Sequence, residues 1–572
     1  MRTRTRTTID QIADDYTHAL AALSPLDATE FGIPGYDHLM GDHSPAMHDD
    51  RARLDRDTLA RLDAAAPADG ADRVTVAAMR DRLRLSLEQY EAGEHLRDLN
   101  NIASPVQFFR SVFDLMPVDT EQDWATIASR LGEMPQAVDG YLACLAEGKA
   151  RGLAPSRLQV QDAIAQAQDF ADPAASFFVT FAIQARPRGR KAGPELASEL
   201  ERAATRAAES YGRLASYLRD ELLDAAEPDP ACGRERYQRF SRSFVGAAVD
   251  LDETYEWGLE QLAAIAAEQD ALAQRIAGPG ASVADAAAKL NSDPARLLHG
   301  TDELRRWMQE TSDAAIAELD GTHFDIAEPV RHLECCIAPT QTGGIYYTGP
   351  SADFSRPGRM WWSVPAGVTE FATWSEKTTV YHEGVPGHHL QIAQAVHNSG
   401  DLNMWRRIVC WMSGHGEGWA LYAERLMEEF GYLTDDGDRF GMLDSQRLRA
   451  TRVVLDLGIH LRKEAPAAYG GGVWDYDKAW RLLRTNVVTE EKTLRFELHR
   501  YLGWPGQAPS YKIGQRMWEQ IRDEARRTAE LRGEEFSLKD FHTRALNLGA
   551  LPLDVLRAEL TRPSPDEPVA KL

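Results

Sequence analysis

Residues 381–391 read YHEGVPGHHLQ and place His382, Glu383, His388 and His389 close together along the chain. Imidazoles beside a carboxylate are the ligand and base set of a zinc hydrolase: neutral ring nitrogens bind the ion and the carboxylate takes a proton from water. The usual arrangement sets two histidines four apart on one helical face. Here the fourth residue after His382 is Pro386, so the second ligand must be His388 or His389. On a straight helix a six-residue step falls about 120° off the face of His382, and a seven-residue step returns to that face only about 10 Å further along the axis. Gly384 and Gly387 permit unusual backbone angles, and Pro386 disfavours helix at Val385. The chain is therefore expected to bend and carry the second imidazole back to the first. His388 is the expected ligand and His389 the alternative. The plainer reading is a helix–loop–helix whose histidines are incidental.

A third ligand has to come from elsewhere. Residues 414–429 (GHGEGWALYAERLMEE) predict an amphipathic helix too apolar for a purely surface element. Glu417 and Glu424 stand seven apart and share a face. Glu417, in the first turn, is the expected third ligand, against the reading of a carboxylate favoured there by the helix dipole. Glu424 is expected to orient a ligand histidine from behind, against that of a solvated salt bridge. One Zn²⁺ per chain is the cofactor expectation.

A second polar set lies at 448–461 (LRATRVVLDLGIHL). At 100° per residue Arg449, Arg452, Asp456 and His460 fall within about 80° of one another. The rest of the wheel is apolar, so the helix is expected to be buried. Its polar stripe must then be paired internally or face a wet cavity. His460 would steady an oxyanion or a substrate carboxylate; the structural alternative is an ion-pair ladder of Arg452 with Asp456. At 503–514 (GWPGQAPSYKIG) Ser510 opens another helix and puts Tyr511 in its first turn. Its hydroxyl could donate to an oxyanion, or its ring could serve as an anchor.

The elements that must position these groups are mostly helical. The first 325 residues carry apolar positions at three- and four-residue spacing, as in 74–91 and 198–225, with breaks at 66–72, 185–194 and 224–234. Composition changes near Phe324: residues 326–365 are richer in aromatic, β-branched, Gly and Pro residues. GIYYT (344–348) and RMWWSV (359–364) predict two strands, in a hairpin or as two strands of a sheet. Helix resumes after Pro365, and the stretch from Thr561 is expected to fray. At 572 residues the chain exceeds one core, so the expected division is a helical lobe over 1–325 and a catalytic lobe over 326–572.

The net charge of −24 disfavours nucleic acid and anionic membrane as partners. The basic start leads into polar helix, so no signal peptide is expected, and without a run of about 18 apolar residues no membrane span is expected either. Five cysteines (Cys144, Cys232, Cys335, Cys336, Cys410) without CxxC spacing suggest a reducing compartment, hence the cytoplasm.

HEGVPGHHLQ, EGWALYAE, LRATRVVLDLGIH, PGQAPSYKIG and, upstream, YYTGPSADFSRPG together resemble a bacterial family catalogued as domain of unknown function 885. Its layout is similar to helical zinc peptidases of the thimet-oligopeptidase and angiotensin-converting-enzyme kind. That resemblance implies a mainly α, gluzincin-like fold: two helical lobes flanking a long cleft, with a small antiparallel sheet next to the metal-site helix. It implies that the strand 359–364, with Met360, Trp361 and Trp362, edges the cleft and accepts a peptide by strand addition. It also implies His460 and Tyr511 as oxyanion stabilisers. The sequence departs from the pattern in the two extra residues inside HExxH and in Pro509, where an apolar residue such as Leu is expected.

The chemistry these readings give is metal-assisted peptide hydrolysis, with Glu383 as general base, His382, His388 and Glu417 as ligands, and a peptide or small amide as substrate. Its rivals are hydrolysis of a non-peptide amide or ester, metal binding without catalysis, and a non-haem iron oxygenase built on two histidines and a carboxylate.

Overall fold

The computed structural model describes residues 4–338 and 344–562. Residues 339–343 of the strand-rich segment and the tail from 563 lie outside the described residues. Packing divides the chain into two compact units. One comprises Arg6–Cys232 with Arg495–Trp504; the other comprises Gly233–Leu494 and the chain from Pro505, with a few N-terminal residues. The division thus falls at Cys232/Gly233 and not at 325/326. The composition change near Phe324 marks where strands begin inside one unit. Helical periodicity alone does not say which core a helix joins.

The Arg6–Cys232 unit is helical. Its long helices α1 (Glu121–Ala150) and α2 (Pro194–Tyr217) pack on each other. Thr120 caps α1 by accepting from the Asp123 amide, with the reciprocal bond of a capping box. Ala203, Ala204 and Ala207 of α2 and Ile127, Leu131 and Met134 of α1 share one core. Each large side chain buried there contributes about 1.5–3 kcal/mol.

The second unit holds α3 (Leu251–Ala277), α4 (Thr373–Glu383), α5 (His388–His397), α6 (Ser413–Glu429), α7 (Asp436–His460) and α8 (Ser510–Leu531). Helix α3 lies close against α7, where a Cβ on Gly258 would stand 2.7 Å from Val453. Among the described residues, five short strands belong here: β1 (Leu297–His299), β2 (Leu333–Ile337), β3 (Ile345–Thr348), β4 (Gly358–Trp362) and β5 (Glu370–Ala372). β1 and β5 pair antiparallel, and β5 runs directly into α4. The other three form a sheet of order β2-β4-β3.

The expected hairpin is present, with Ile345 opposite Trp362 and Thr348 opposite Arg359. The sheet is nevertheless mixed and not wholly antiparallel, because β2 joins β4 in parallel, Leu333 opposite Gly358. This corrects the role expected of residues 359–364. β4 is the central strand, hydrogen-bonded on both sides, and has no free edge for a peptide. Met360 and Trp362 point inward and are 0% and 3% exposed, so they are core residues. Trp361, on the other face, is half-buried, donates to Thr348 Oγ1 at 2.9 Å and stacks on Tyr346. Among the described residues, no helix is long and apolar enough to cross a membrane.

Candidate metal centre

Helix α4 ends at Glu383 and α5 begins at His388, so the two histidines sit at facing helix ends. The four residues between them reverse the chain. Gly384 N donates to Val380 O at 2.8 Å, Gly387 N to Tyr381 O at 3.0 Å, and His389 N back to Gly384 O at 3.1 Å. Gly387 lies against the end of α4 so closely that a Cβ there would collide with the carbonyl oxygens of Tyr381 and His382. The Trp419 indole of α6 donates to Pro386 O at 2.8 Å and pins the reversal. The bend inferred from Gly384, Pro386 and Gly387 is therefore how a six-residue spacing closes. The His382 and His388 rings stand 4.9 Å apart, centre to centre, and nearly perpendicular. Gly387→Ala is expected to lower stability by about 1–3 kcal/mol, because backbone cannot move aside as a side chain can; a drop in the urea midpoint would report it.

Glu417 reaches the same point from α6. Its Oε2 is 3.3 Å from His382 Nε2 and 3.4 Å from His388 Nε2. Helix α6 is held in place by backbone contact with α8: a Cβ on Gly418 would lie 2.6 Å from Gly514 Cα, and one on Gly514 would strike Gly414 O. Ligand atoms of His382, Glu383 and His388 also lie within 4.8 Å of one another, and all three residues are buried. His382 and His388 side chains are 6% and 9% exposed, whereas that of Glu417 is 21% exposed, so the carboxylate forms the open side of the cluster.

Behind His382, its Nδ1 donates to Glu424 Oε1 at 2.8 Å. The other oxygen of Glu424 accepts from Thr378 Oγ1 at 2.9 Å and lies 3.5 Å from Ser445 Oγ. This is the contact an orienting carboxylate would make: it holds the Nδ1 proton of His382 and leaves Nε2 as the ring atom turned to Glu417. Glu424→Gln is expected to weaken zinc binding about 10–100-fold, measured by competition with a chromogenic chelator.

Burial disfavours a charged His382, but hydrogen bonds with Glu417 and Glu424 outweigh it and lift its pKa to about 10. Burial would likewise raise Glu417, yet His388 and His382 beside it hold its carboxyl well below the ordinary range. Carboxylates that favour a proton on His382 would equally favour a divalent cation in its place, and metal binding to such a site releases that proton. The donor set thus fits a metal ion. Burial pushes the Glu383 carboxyl upward against the pull of the two histidines, which suits a proton acceptor better than a spectator anion.

His389, the alternative ligand, faces away. Its Nε2 donates to Val330 O at 2.7 Å, and Tyr347 Oη of β3 lies 2.9 Å from its Nδ1. Both ring nitrogens are engaged, so His388 is the histidine free to join His382. The stripe on α7 forms a second group. Asp456 accepts from Tyr237 Oη at 2.7 Å and from Gly506 N at 3.0 Å. His460 is fully buried with its ring 5.7 Å from that of Tyr237. Tyr511 is half-buried in the first turn of α8, with the Arg452 guanidinium 5.2 Å from its ring centre. Arg449 donates to Ser445 Oγ at 2.7 Å.

Sequence reasoning missed Thr378, Ser445 and Tyr347. The first two carried a signal: Thr378 is one turn before His382, and Ser445 one turn before Arg449. It also missed Lys512, buried on α8, whose Nζ donates to Gln446 at 2.6 Å and Gln515 at 3.0 Å. Burial lowers that lysine's pKa to about 7.

Among families, the model described as "Bacterial protein of unknown function (DUF885)" matches residues 25–560. No curated protein matches the chain. Two solved structures share the fold over nearly all of it. One, described as "the putative lipoprotein from Colwellia psychrerythraea", is 22% identical with a TM-score of 0.82, over 97% of this chain and 99% of that one. The other, "a putative lipoprotein of unknown function from Shewanella oneidensis", is 15% identical with a TM-score of 0.73, over 97% of this chain and 100% of that one.

Proposed function

Starting from the DUF885 family of bacterial proteins, to which this chain belongs, we propose that the centre is that of a zinc-dependent hydrolase and that its substrates are oligopeptides. The observation that carries the reading is the convergence of His382 Nε2 and His388 Nε2 on Glu417 Oε2, with Glu383 buried beside them. Two imidazoles and a carboxylate leave a coordination position open, as catalytic zinc sites do. His382, His388 and Glu417 would hold a zinc ion there, and it would supply Lewis acidity toward a carbonyl and a bound water.

The chain's own residues supply the rest. Glu383 accepts the proton of the attacking water and returns it to the leaving amine. Glu424, fixed by Thr378, holds His382 in one tautomer. Tyr511 and His460 are the candidate donors to the developing oxyanion, an effect worth about 3–4 kcal/mol per well-placed donor. The resemblance to thimet-oligopeptidase-like enzymes supports peptide as the substrate class. An extended peptide would pair with β3, which stands at the sheet edge, since β4 is enclosed. We place the reaction in the cytoplasm, a reading supported by the five free thiols.

Incubating the zinc-loaded protein with a pool of oligopeptides, followed by mass spectrometry, tests the proposal. Internal or terminal cleavage is expected. Cleavage of simple amides or esters alone would move the substrate class. No hydrolysis of any of them would leave a metal-binding protein, and iron in the purified protein would favour oxygenase chemistry.

A further inference from the structure

We infer that Arg449 is the docking cation for a carboxylate on the substrate, which makes peptides with a free C-terminal carboxyl group the preferred class; the inference rests on the hydrolase reading. Arg449 stands on α7 one turn after Ser445. Its Nη1 donates to Ser445 Oγ at 2.7 Å, and that hydroxyl lies 3.5 Å from the Glu424 oxygen that Thr378 also holds. The guanidinium is thus moored to the same set of groups that orients His382.

Among the described residues, no carboxylate comes within ion-pair distance of Arg449. Its acceptors are neutral: Ser445 Oγ and, at 3.4 Å, the Ser445 carbonyl. Its Nε is buried without a partner. Arg447, two residues before it, likewise bonds only neutral acceptors, Asn486 and Gln269, whereas other arginines of this unit pair with carboxylates. Arg425 pairs with Glu428 at 2.8 Å, Arg439 with Glu428 at 2.5 Å, and Arg522 with Glu429 at 3.0 Å. Yet the Arg449 side chain as a whole is only half-buried. A planar guanidinium with spare donors is the best match among side chains for a carboxylate, which it grips through two parallel bonds.

The charge balance points the same way. The centre gathers Glu383, Glu417 and Glu424 in a chain of net charge −24. A substrate arriving with a carboxylate would be repelled unless a cation met it, whereas an amidated or internal peptide segment has no need of one. Arg449, linked through Ser445 to Glu424, is a cation close to this group of carboxylates.

The test uses two pools of degenerate hexapeptides, one of free acids and one of C-terminal amides. Binding is measured on zinc-loaded Glu383→Gln, which should hold substrate without turning it over. Free acids are expected to bind about tenfold tighter or more, as for a charge-paired contact. Adding Arg449→Gln should erase that preference with zinc content unchanged, while Arg449→Lys, which keeps the charge and loses the fork, should retain part of it. Equal binding of the two pools, or a preference that survives Arg449→Gln, overturns the assignment. So does loss of zinc in Arg449→Gln, which would make the residue a charge-balancing group. Binding of neither pool overturns the peptidase reading itself.

Discussion

Replacing Glu383 by glutamine is expected to leave about one zinc per chain in place while cutting peptide turnover about 10²–10⁴-fold. The substitution keeps the size of the side chain and removes only its ability to accept a proton. The prediction is sharp because the geometry offers a rival. Glu383 shares a 4.8 Å cluster with His382 and His388, just as Glu417 lies within hydrogen-bonding range of both imidazoles. Glu383 directly follows His382 at the end of α4, so the two side chains leave the helix about 100° apart. Glu417 comes from a different helix and sets a single oxygen almost equally far from both ring nitrogens. This geometry supports the proposal that Glu417 is the ligand and Glu383 the base. Metal analysis and rate, measured on the same sample of Glu383→Gln, decide it: zinc lost together with activity would exchange the two roles.

The sequence was most informative where one short stretch had to satisfy several constraints at once. In 382–388, the impossibility of HExxH spacing, two glycines and a proline together imply a bend, and the structure has that bend. Glu417 and Glu424 were legible because a seven-residue interval returns to one helical face, and the face meets His382 twice, through Nε2 and through Nδ1. The sequence favoured His388 over His389 without excluding the second. The answer depends on Val330 and Tyr347, which are distant in sequence and engage both nitrogens of His389. The division of the chain was misplaced for a related reason. Helices such as Leu251–Ala277 have the same periodicity whichever core they join, and a contact such as that of Gly258 with Val453 leaves no local mark. Strand β2 (LECCI) was too short and too mixed to stand out. Missing it gave β4 an open edge that it does not have.

Removing a ligand carries the largest expected effect. His382→Ala, His388→Ala and Glu417→Ala should each lower zinc from about one per chain to background by elemental analysis, whereas His389→Ala should retain it. A mixed site of three protein ligands has no spare donor. His382 in addition anchors Glu424, so its loss leaves a buried carboxylate facing Thr378 with no imidazole between it and the centre. Stability gives an independent reading. A ligand held at about 1,000 times its Kd stabilises the folded state by about 4 kcal/mol, so chelation should depress the melting temperature of the wild type. In the three ligand variants chelation should change nothing, because no ion is there to remove. His389→Ala should behave in the opposite way: it should melt lower before chelation, having lost its bonds to Val330 and Tyr347, and fall further when zinc is withdrawn. If that variant alone lost its metal, the second imidazole would belong to His389, and the orientation of α5 drawn from Val330 and Tyr347 would have to be abandoned.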